Sequence, residues 1–446
     1  PDRVLDYRYR LGQVYQLRLN DIDQAVASYR DVIVSMPEHE AALEALETLF
    51  ANGVKQAEIA EVLEPLYTDN AQWEKLAGVH EAQLAHLTDS DERLAMYYRI
   101  AEDYEHNLLD PVRAMEAYIR AIREFPLDER IGEEIERLAA DTDGGWDRLG
   151  NAYADVLDIQ QDPVVRKAIG KRHARVFEEE LQQIDNAIET YRYVLGVDPT
   201  DSDALVNLDR IFEAMEQWAE LAQVLEQRLR PSDEPVDWVE LHGRLGAVYE
   251  EKLQRYDDAI RVYRRIFDEL DPSNEEAIAA LERLYEYKQA WTDLNVVYER
   301  QLDNAMGDME EADIRAKMAR LASERLGDVE ASIATWKRVL DLRGEDVEAL
   351  GALANLYESR GQWAELCDVL ERQHDIADTD EERVRIRLRR AYVFLVRLNR
   401  DEEAIDDYQR VLEIDYANVD ALRAIANIWR TRQEAYELVQ ALHNLV

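Results

Sequence analysis

An indole recurs at Trp73, Trp146, Trp218, Trp291 and Trp363, with Tyr436 in the next slot, at steps of 73, 72, 73, 72 and 73 residues. A second aromatic column, Tyr118, Tyr191, Tyr263, Trp336 and Tyr408, keeps the same beat. Two columns in phase mark an internal repeat. Self-similarity at a fixed period is the signature of a solenoid, in which each unit buries its apolar face only against its neighbours. A single globular core stops growing near about 250 to 300 residues, whereas a one-dimensional stack has no such ceiling. The 446 residues therefore predict one elongated array of six double units.

Few breakers interrupt the chain: 10 Pro and 16 Gly, with Ala, Leu, Glu and Arg abundant, which predicts helices and no strands. The balance of 53 basic against 96 acidic residues, −43 overall, argues against nucleic acid, because such a polyanion repels phosphate. Eight Lys against 45 Arg suits a saline habitat or a GC-rich genome in a bacterial-type protein; the other reading is an acidic face that recruits basic proteins. The single Cys367 excludes an internal disulfide, and in AELCDVLERQ it reads as a small core residue. There is no run of 18 apolar residues, so no membrane span is expected. A soluble protein is expected, cytoplasmic in the first instance and periplasmic in the second. The chain opens on PDRVLDYRYR, already helical in pattern, and closes on ALHNLV without a polar capping helix; a fragment or processed product of a longer array is expected.

Residues 238–305 display the unit: WVELHGRLGAVYEEKL, YDDAIRVYRRIFDELDP, NEEAIAALERLYEYKQ and AWTDLNVVYERQLDNA, four amphipathic helices with apolar residues one helical turn apart. Asp257 and Asp258 open the second helix, and Asp271-Pro272-Ser273-Asn274 closes it and opens the third. Leu245-Gly246, Tyr249, Ala259, Tyr263 and Pro272 follow the order of a known pattern, and Leu281, Tyr285, Trp291, Leu294 and Tyr298 give a second pass. The unit resembles a tandem pair of tetratricopeptide repeats, whose period is about 34 residues. It departs from that pattern because the first repeat of each pair runs a residue or two long between helices. The resemblance implies an all-α, right-handed α-solenoid of antiparallel helix hairpins. Its double repeats span 3–92, 93–165, 166–237, 238–312, 313–382 and 383–446. Between Tyr29 and Trp73 about 16 residues are extra, and both EAALEALETLF and AEIAEVLEPLY fit the third-helix pattern; a duplicated helix within 38–70 is expected to re-phase the stack or project.

Seventeen residues before each second-helix aromatic stands Gly12, Ala101, Ala174, Gly246, Ala319 or Ala391. Only a small residue lets two helices approach closely enough for Tyr29, Tyr118, Tyr191, Tyr263, Trp336 or Tyr408 to fill the space beside it. These two columns and the Trp column are read as structural keystones. Signals that resemble chemistry fail on spacing. His80 and His86 in HEAQLAH are six apart, which on a helix turns them about 240° from each other. Asp141 to Ala152, DTDGGWDRLGNA, lacks the ligands of a calcium loop, and Asp198, Asp201 and Asp203 read as helix caps. No catalytic constellation, metal site or cofactor motif is expected.

One column exceeds its background: Arg10, Arg99, Arg172, Arg244, Lys317 and Arg389, two residues before each small position. In the family resembled, such first-helix positions line the concave groove that holds peptides, which implies a candidate groove that also takes in Lys171, Arg175, Arg320, Arg385 and Tyr392. The alternative is a ladder of ion pairs to the acidic starts of the second helices, Asp110, Asp185, Asp257 and Asp401. The stretches 166–175 (five cations) and 383–400 (seven cations), both without an acid, predict a locally positive stripe. The function expected is a non-catalytic scaffold whose groove holds a peptide or protein partner. Its rivals are an array that self-associates through open solenoid ends, and the regulatory arm of an enzyme whose catalytic domain lies elsewhere.

Overall fold

The computed structural model describes residues 2–230 and 237–443. Residues 231–236 and 444–446, hence part of the third double repeat and the tip of the ALHNLV end, lie outside them. The described residues form 25 α-helices and no strand. They fall into two compact bodies, Pro1–Glu234 and Pro235–Val446.

In the N-terminal body the first double repeat holds α1 (Asp2–Val14), α2 (Ile22–Ser35), α3 (Glu40–Ala51), α4 (Gln56–Asp69) and α5 (Trp73–His86). The second holds α6 (Ser90–Glu102), α7 (Pro111–Glu124), α8 (Glu129–Asp141) and α9 (Gly145–Ile159); the third holds α10 (Pro163–Arg175), α11 (Ile184–Val197), α12 (Ser202–Ala214) and α13 (Trp218–Arg228). The C-terminal body repeats the four-helix pattern in α14 (Trp238–Ala247), α15 (Tyr256–Arg265), α16 (Glu275–Lys288) and α17 (Trp291–Asn304). It continues with α18 (Asp308–Leu321), α19 (Val329–Arg343), α20 (Val347–Arg360) and α21 (Trp363–Ile376), then α22 (Asp380–Tyr392), α23 (Asp401–Ile414), α24 (Val419–Arg432) and α25 (Ala435–His443). Within each body, sequential helices pack pairwise, the solenoid arrangement. Caps mark the breaks: Asp21, Asp110, Asp128, Asp201, Asn274, Asp328, Asp346 and Asn418 each accept from a backbone N–H three residues on.

The extra length of the first hairpin has a regular geometry. Every first helix continues into a π-helical turn: Tyr15–Leu19, Asp103–Asn107, Val176–Glu180, Val248–Lys252, Ala322–Leu326 and Val393–Leu398. A left-handed residue follows, at Asn20, Leu109, Gln182, Gln254, Gly327 and Asn399, itself in phase with the repeat. The next N–H then donates six residues back, as from Asp110 to Tyr104 O (2.8 Å) and from Gln183 to Phe177 O (2.7 Å). Third helices end without a π turn, and after the left-handed residue the donation reaches five residues back, as from Ala290 to Tyr285 O (2.9 Å). The one-residue difference is the residue that the π turn inserts.

α3 and α4 are the duplicated third helix. α3 does not project: Ala42, Leu46 and Leu49 join the core of α2, α4 and α5. Its link to α4 turns through left-handed Gly53 and Lys55, and Lys55 pairs with Asp23 and Glu58.

Candidate partner-binding faces

The second-helix aromatics Tyr29, Tyr118, Tyr191, Tyr263, Trp336 and Tyr408 are buried, as are Ala101, Ala174, Ala319 and Ala391. A Cβ on Gly12 would stand 2.6 Å from Tyr29 Cε1, and one on Gly246 would stand 2.6 Å from Tyr263 Cζ, so at these two places the ring lies against bare backbone. Burial pushes the Tyr29 and Tyr118 hydroxyls up to about 12. The Trp column sits differently. Trp73, Trp218, Trp291 and Trp363 each open the last helix of a double repeat and Trp146 follows one residue into α9; all are half-buried, and Tyr436 is exposed. Position at a helix start, where the chain has just turned through its left-handed residue, leaves one edge of each indole in solvent.

Three members of the basic column, and Arg175 beside it, meet the third helix of the preceding double repeat. Arg99 stands 3.6 Å from Glu64 of α4, Arg175 2.6 Å from Glu136 of α8 and Lys317 2.8 Å from Glu282 of α16; Arg389 pairs with Glu358 of α20. Lys171 and Arg320 reach forward, to Asp203 of α12 and Glu348 of α20, each at 2.6 Å. The Arg172 guanidinium lies where a Cβ on Gly132 would be, Arg10 pairs with Asp6 on its own helix, and Arg244 is not free. The expected acidic partners are used otherwise: Asp110 caps α7 and holds Arg113, Asp257 pairs with Lys288, and Asp401 pairs with Arg432. A ladder is present, then, but it runs between first and third helices, because these alternate along one face of each body and place their side chains opposite one another.

Helix α22 is not an open positive stripe. Arg387, 3% exposed, lies 3.0 Å from Asp407 Oδ1, itself fully buried, and also holds Glu371; Arg390 donates to Asp407 from Nε at 2.7 Å. Arg385 and Arg389 instead stand over a cavity of about 500 Å³ between α20, α21 and α22, floored by Leu370, Ile376 and Ile386. Among the described residues Arg385 pairs only along its own helix, with Glu382 at 3.2 Å, and Tyr392 is exposed two turns on. Gly351 lines this cavity without a side chain, where the equivalent third-helix positions carry Glu133, Val206, Ala279 and Arg423. Sequence reasoning passed over Gly351; the signal was its size in that column.

The motifs set aside on spacing have structural places. His80 is buried with Nδ1 2.6 Å from Asp103 Oδ2, while His86 is exposed beside Gln56. Asp141 to Gly144 turns the chain into α9, Asp201 caps α12, and Lys167 together with Thr200 holds Asp198 down at about 2. Cys367 lies in the core of the C-terminal body, where burial pushes its thiol up to about 11.

Tetratricopeptide-repeat models match residues 6–39, 204–236 and 349–384. No curated protein matches the chain. Among solved structures, similarity extends to the MamA protein (17% identity over 40% of this chain and 93% of that one, TM-score 0.29). It extends also to YrrB, described as a TPR protein with an unusual peptide-binding site (15% identity, 41% and 90%, TM-score 0.28), and to Naa15/Naa10 bound to HypK-THB (14%, 99% and 75%, TM-score 0.27). Superpositions this loose carry no inference about a partner. The matched stretches coincide with α1–α2, α12–α13 and α20–α21, so both hairpins of the double repeat match tetratricopeptide-repeat models.

Proposed function

We propose that this protein is a non-catalytic interaction scaffold that holds a peptide or protein partner on the face where first and third helices alternate. The observation that supports this reading most is the cavity under Arg385 and Arg389, which combines an apolar floor with a guanidinium, that of Arg385, that has no partner on a neighbouring helix among the described residues. A pocket of this kind seats an apolar side chain while a forked guanidinium holds a neighbouring carboxylate or backbone carbonyl. Most other cations of the face are engaged by carboxylates, so specificity is expected to concentrate at this one place. Among the described residues no helix is long and apolar enough to cross a membrane.

Panning the full chain against a displayed random peptide library tests the reading. A family of related peptides should emerge, and Gly351→Val, which fills the cavity where only Gln373 Nε2 stands within 4 Å, should abolish its capture. Failure to enrich any family, or capture undiminished in that variant, would overturn it. A second reading, self-association, is favoured by the exposed stripe Tyr7, Leu11 and Val14 of α1. Its equivalents in the second double repeat, Met96, Ile100 and Asp103, are all buried. Light scattering on wild type and Leu11→Glu separates the two, since only an assembling chain shows a mass that falls in the variant.

A further inference from the structure

On the opposite side of α10 from its paired cations, a cavity of about 400 Å³ lies between α9 and α11 in the N-terminal body. Its floor is aromatic. His173 and Phe177 stack at 4.3 Å between ring centroids, and Tyr193 closes one side. Its rim carries two exposed carboxylates, Asp158 of α9 and Glu189 of α11, beside Asn186 and Thr190.

Three features set this place apart. In a chain crossed by ion pairs, neither Asp158 nor Glu189 has a cation within salt-bridge distance among the described residues. Next, His173 is only 7% exposed, lines the cavity, and has a buried Nε2 with no hydrogen-bond partner. A buried polar atom without a partner is costly, and natural structures rarely keep one without a use. Finally, the repeat does not ask for a histidine here: the same column holds Leu11, Ile100, Leu245, Met318 and Arg390. Burial pushes His173 down to about 4, so at neutral pH the imidazole is uncharged and one ring nitrogen is an acceptor. The basic group against the lining is Arg166, which donates to Tyr193 Oη and stacks 5.0 Å from that ring; Phe177 and His173 remain as floor.

We propose that this cavity seats a lysine or arginine side chain from a basic protein segment. The rim carboxylates neutralise the cation, the aromatic floor attracts it through its ring faces, and the chain's −43 charge draws such a segment in. The site is built from α9, α11 and the side of α10 that carries His173, and does not depend on the face proposed above.

The experiment uses the full chain and three fluorescein-labelled dodecapeptides of alternating Arg/Ser, Lys/Ser and Gln/Ser, at about 150 mM NaCl, where the Debye length is about 8 Å. A cationic peptide should bind saturably and shift the His173 ring signals in NMR, and the Gln/Ser peptide should do neither. The pair Asp158→Asn with Glu189→Gln should weaken binding by about tenfold or more, and Glu299→Gln with Asp303→Asn, which removes the same charge elsewhere, by less than about twofold. Ala154→Leu, which narrows the cavity without touching charge, should also weaken it. Equal weakening by both charge pairs would mean that only the general field attracts the peptide, and would overturn the site. So would the absence of saturable binding, or displacement by free arginine or spermidine as effective as by the peptide, which would assign the cavity to small cations.

Discussion

Gly243 and Gly246 stand on the same helix, α14, three residues apart, and the packing of the repeat makes opposite demands on them. A methyl group at Gly243 meets nothing within 4 Å. At Gly246 it would stand 2.6 Å from Tyr263 Cζ and 2.7 Å from Cε1, about 0.8 Å short of ordinary contact, and the obstacle is a rigid ring held in the core. Replacing a helical glycine by alanine gains about 0.5 to 1 kcal/mol, mainly by restricting the unfolded chain. Overpacking costs about 1 to 3 kcal/mol. Four other double repeats hold Ala at this position beside Tyr118, Tyr191, Trp336 and Tyr408, so the hairpin has a relaxed geometry within reach and the lower half of that range applies. Gly243→Ala is therefore expected to stabilise the C-terminal body by about 0.5 to 1 kcal/mol and Gly246→Ala to destabilise it by about 1, a contrast of about 2 kcal/mol. Urea unfolding followed by far-ultraviolet circular dichroism measures both, with an unchanged slope confirming that only stability has moved. If Gly246→Ala proves as stable as Gly243→Ala, the aromatic does not lock the hairpin through the small residue and the packing argument fails.

Three further outcomes follow from the same packing. Leu109 is 80% exposed with φ 54°, a conformation that costs a branched L-residue about 1 kcal/mol, so Leu109→Gly should raise the urea midpoint; a lower midpoint would show that the side chain contributes more than its strain removes. Asp407→Ala leaves Arg387 and Arg390 buried without their carboxylate and should cost about 3 to 5 kcal/mol, whereas Glu348→Ala, which breaks the exposed pair with Arg320, should cost less than about 1; similar losses would refute the burial argument. His173 titrates at about 4 when folded and near its ordinary 6.5 when unfolded, so the unfolded chain binds the extra proton between those values and stability falls as pH drops through that window. The loss should be on the order of 2 to 3 kcal/mol in the N-terminal body, and His173→Gln should flatten the pH profile from 6.5 to 4.5 if the assignment is right.

The aromatic and small-residue columns were legible because burial acts on size and polarity, which a sequence displays directly. The π turns and left-handed residues were less so. Asn, Leu, Gln and Gly all occupy the first left-handed column, since the site is exposed and selects a backbone conformation that several side chains tolerate at modest cost. Their trace was indirect: the first hairpin ran a residue long in every double repeat. The half-buried setting of the Trp column was likewise hidden, because periodicity reports that a position matters without saying whether it faces a core or opens a helix.

The cations show the same division. Lys317 and Arg389 of the in-phase column pair with third helices, but phase says nothing of who stands opposite. The acids nearest in sequence were the natural expectation, and the packing offered Glu136, Glu282 and Glu358 instead. Once those pairs form, a positive count along a helix no longer measures the charge available to a ligand. In a chain with nearly twice as many acids as bases, the informative groups become the carboxylates left without a cation. Asp158 and Glu189 are such a pair, and they flank a histidine in a column whose other members are Leu11, Ile100, Leu245, Met318 and Arg390. A buried polar residue in a mostly apolar column is a stronger pointer than a basic residue that keeps a column on the surface, because burial makes the first costly and solvent makes the second nearly neutral.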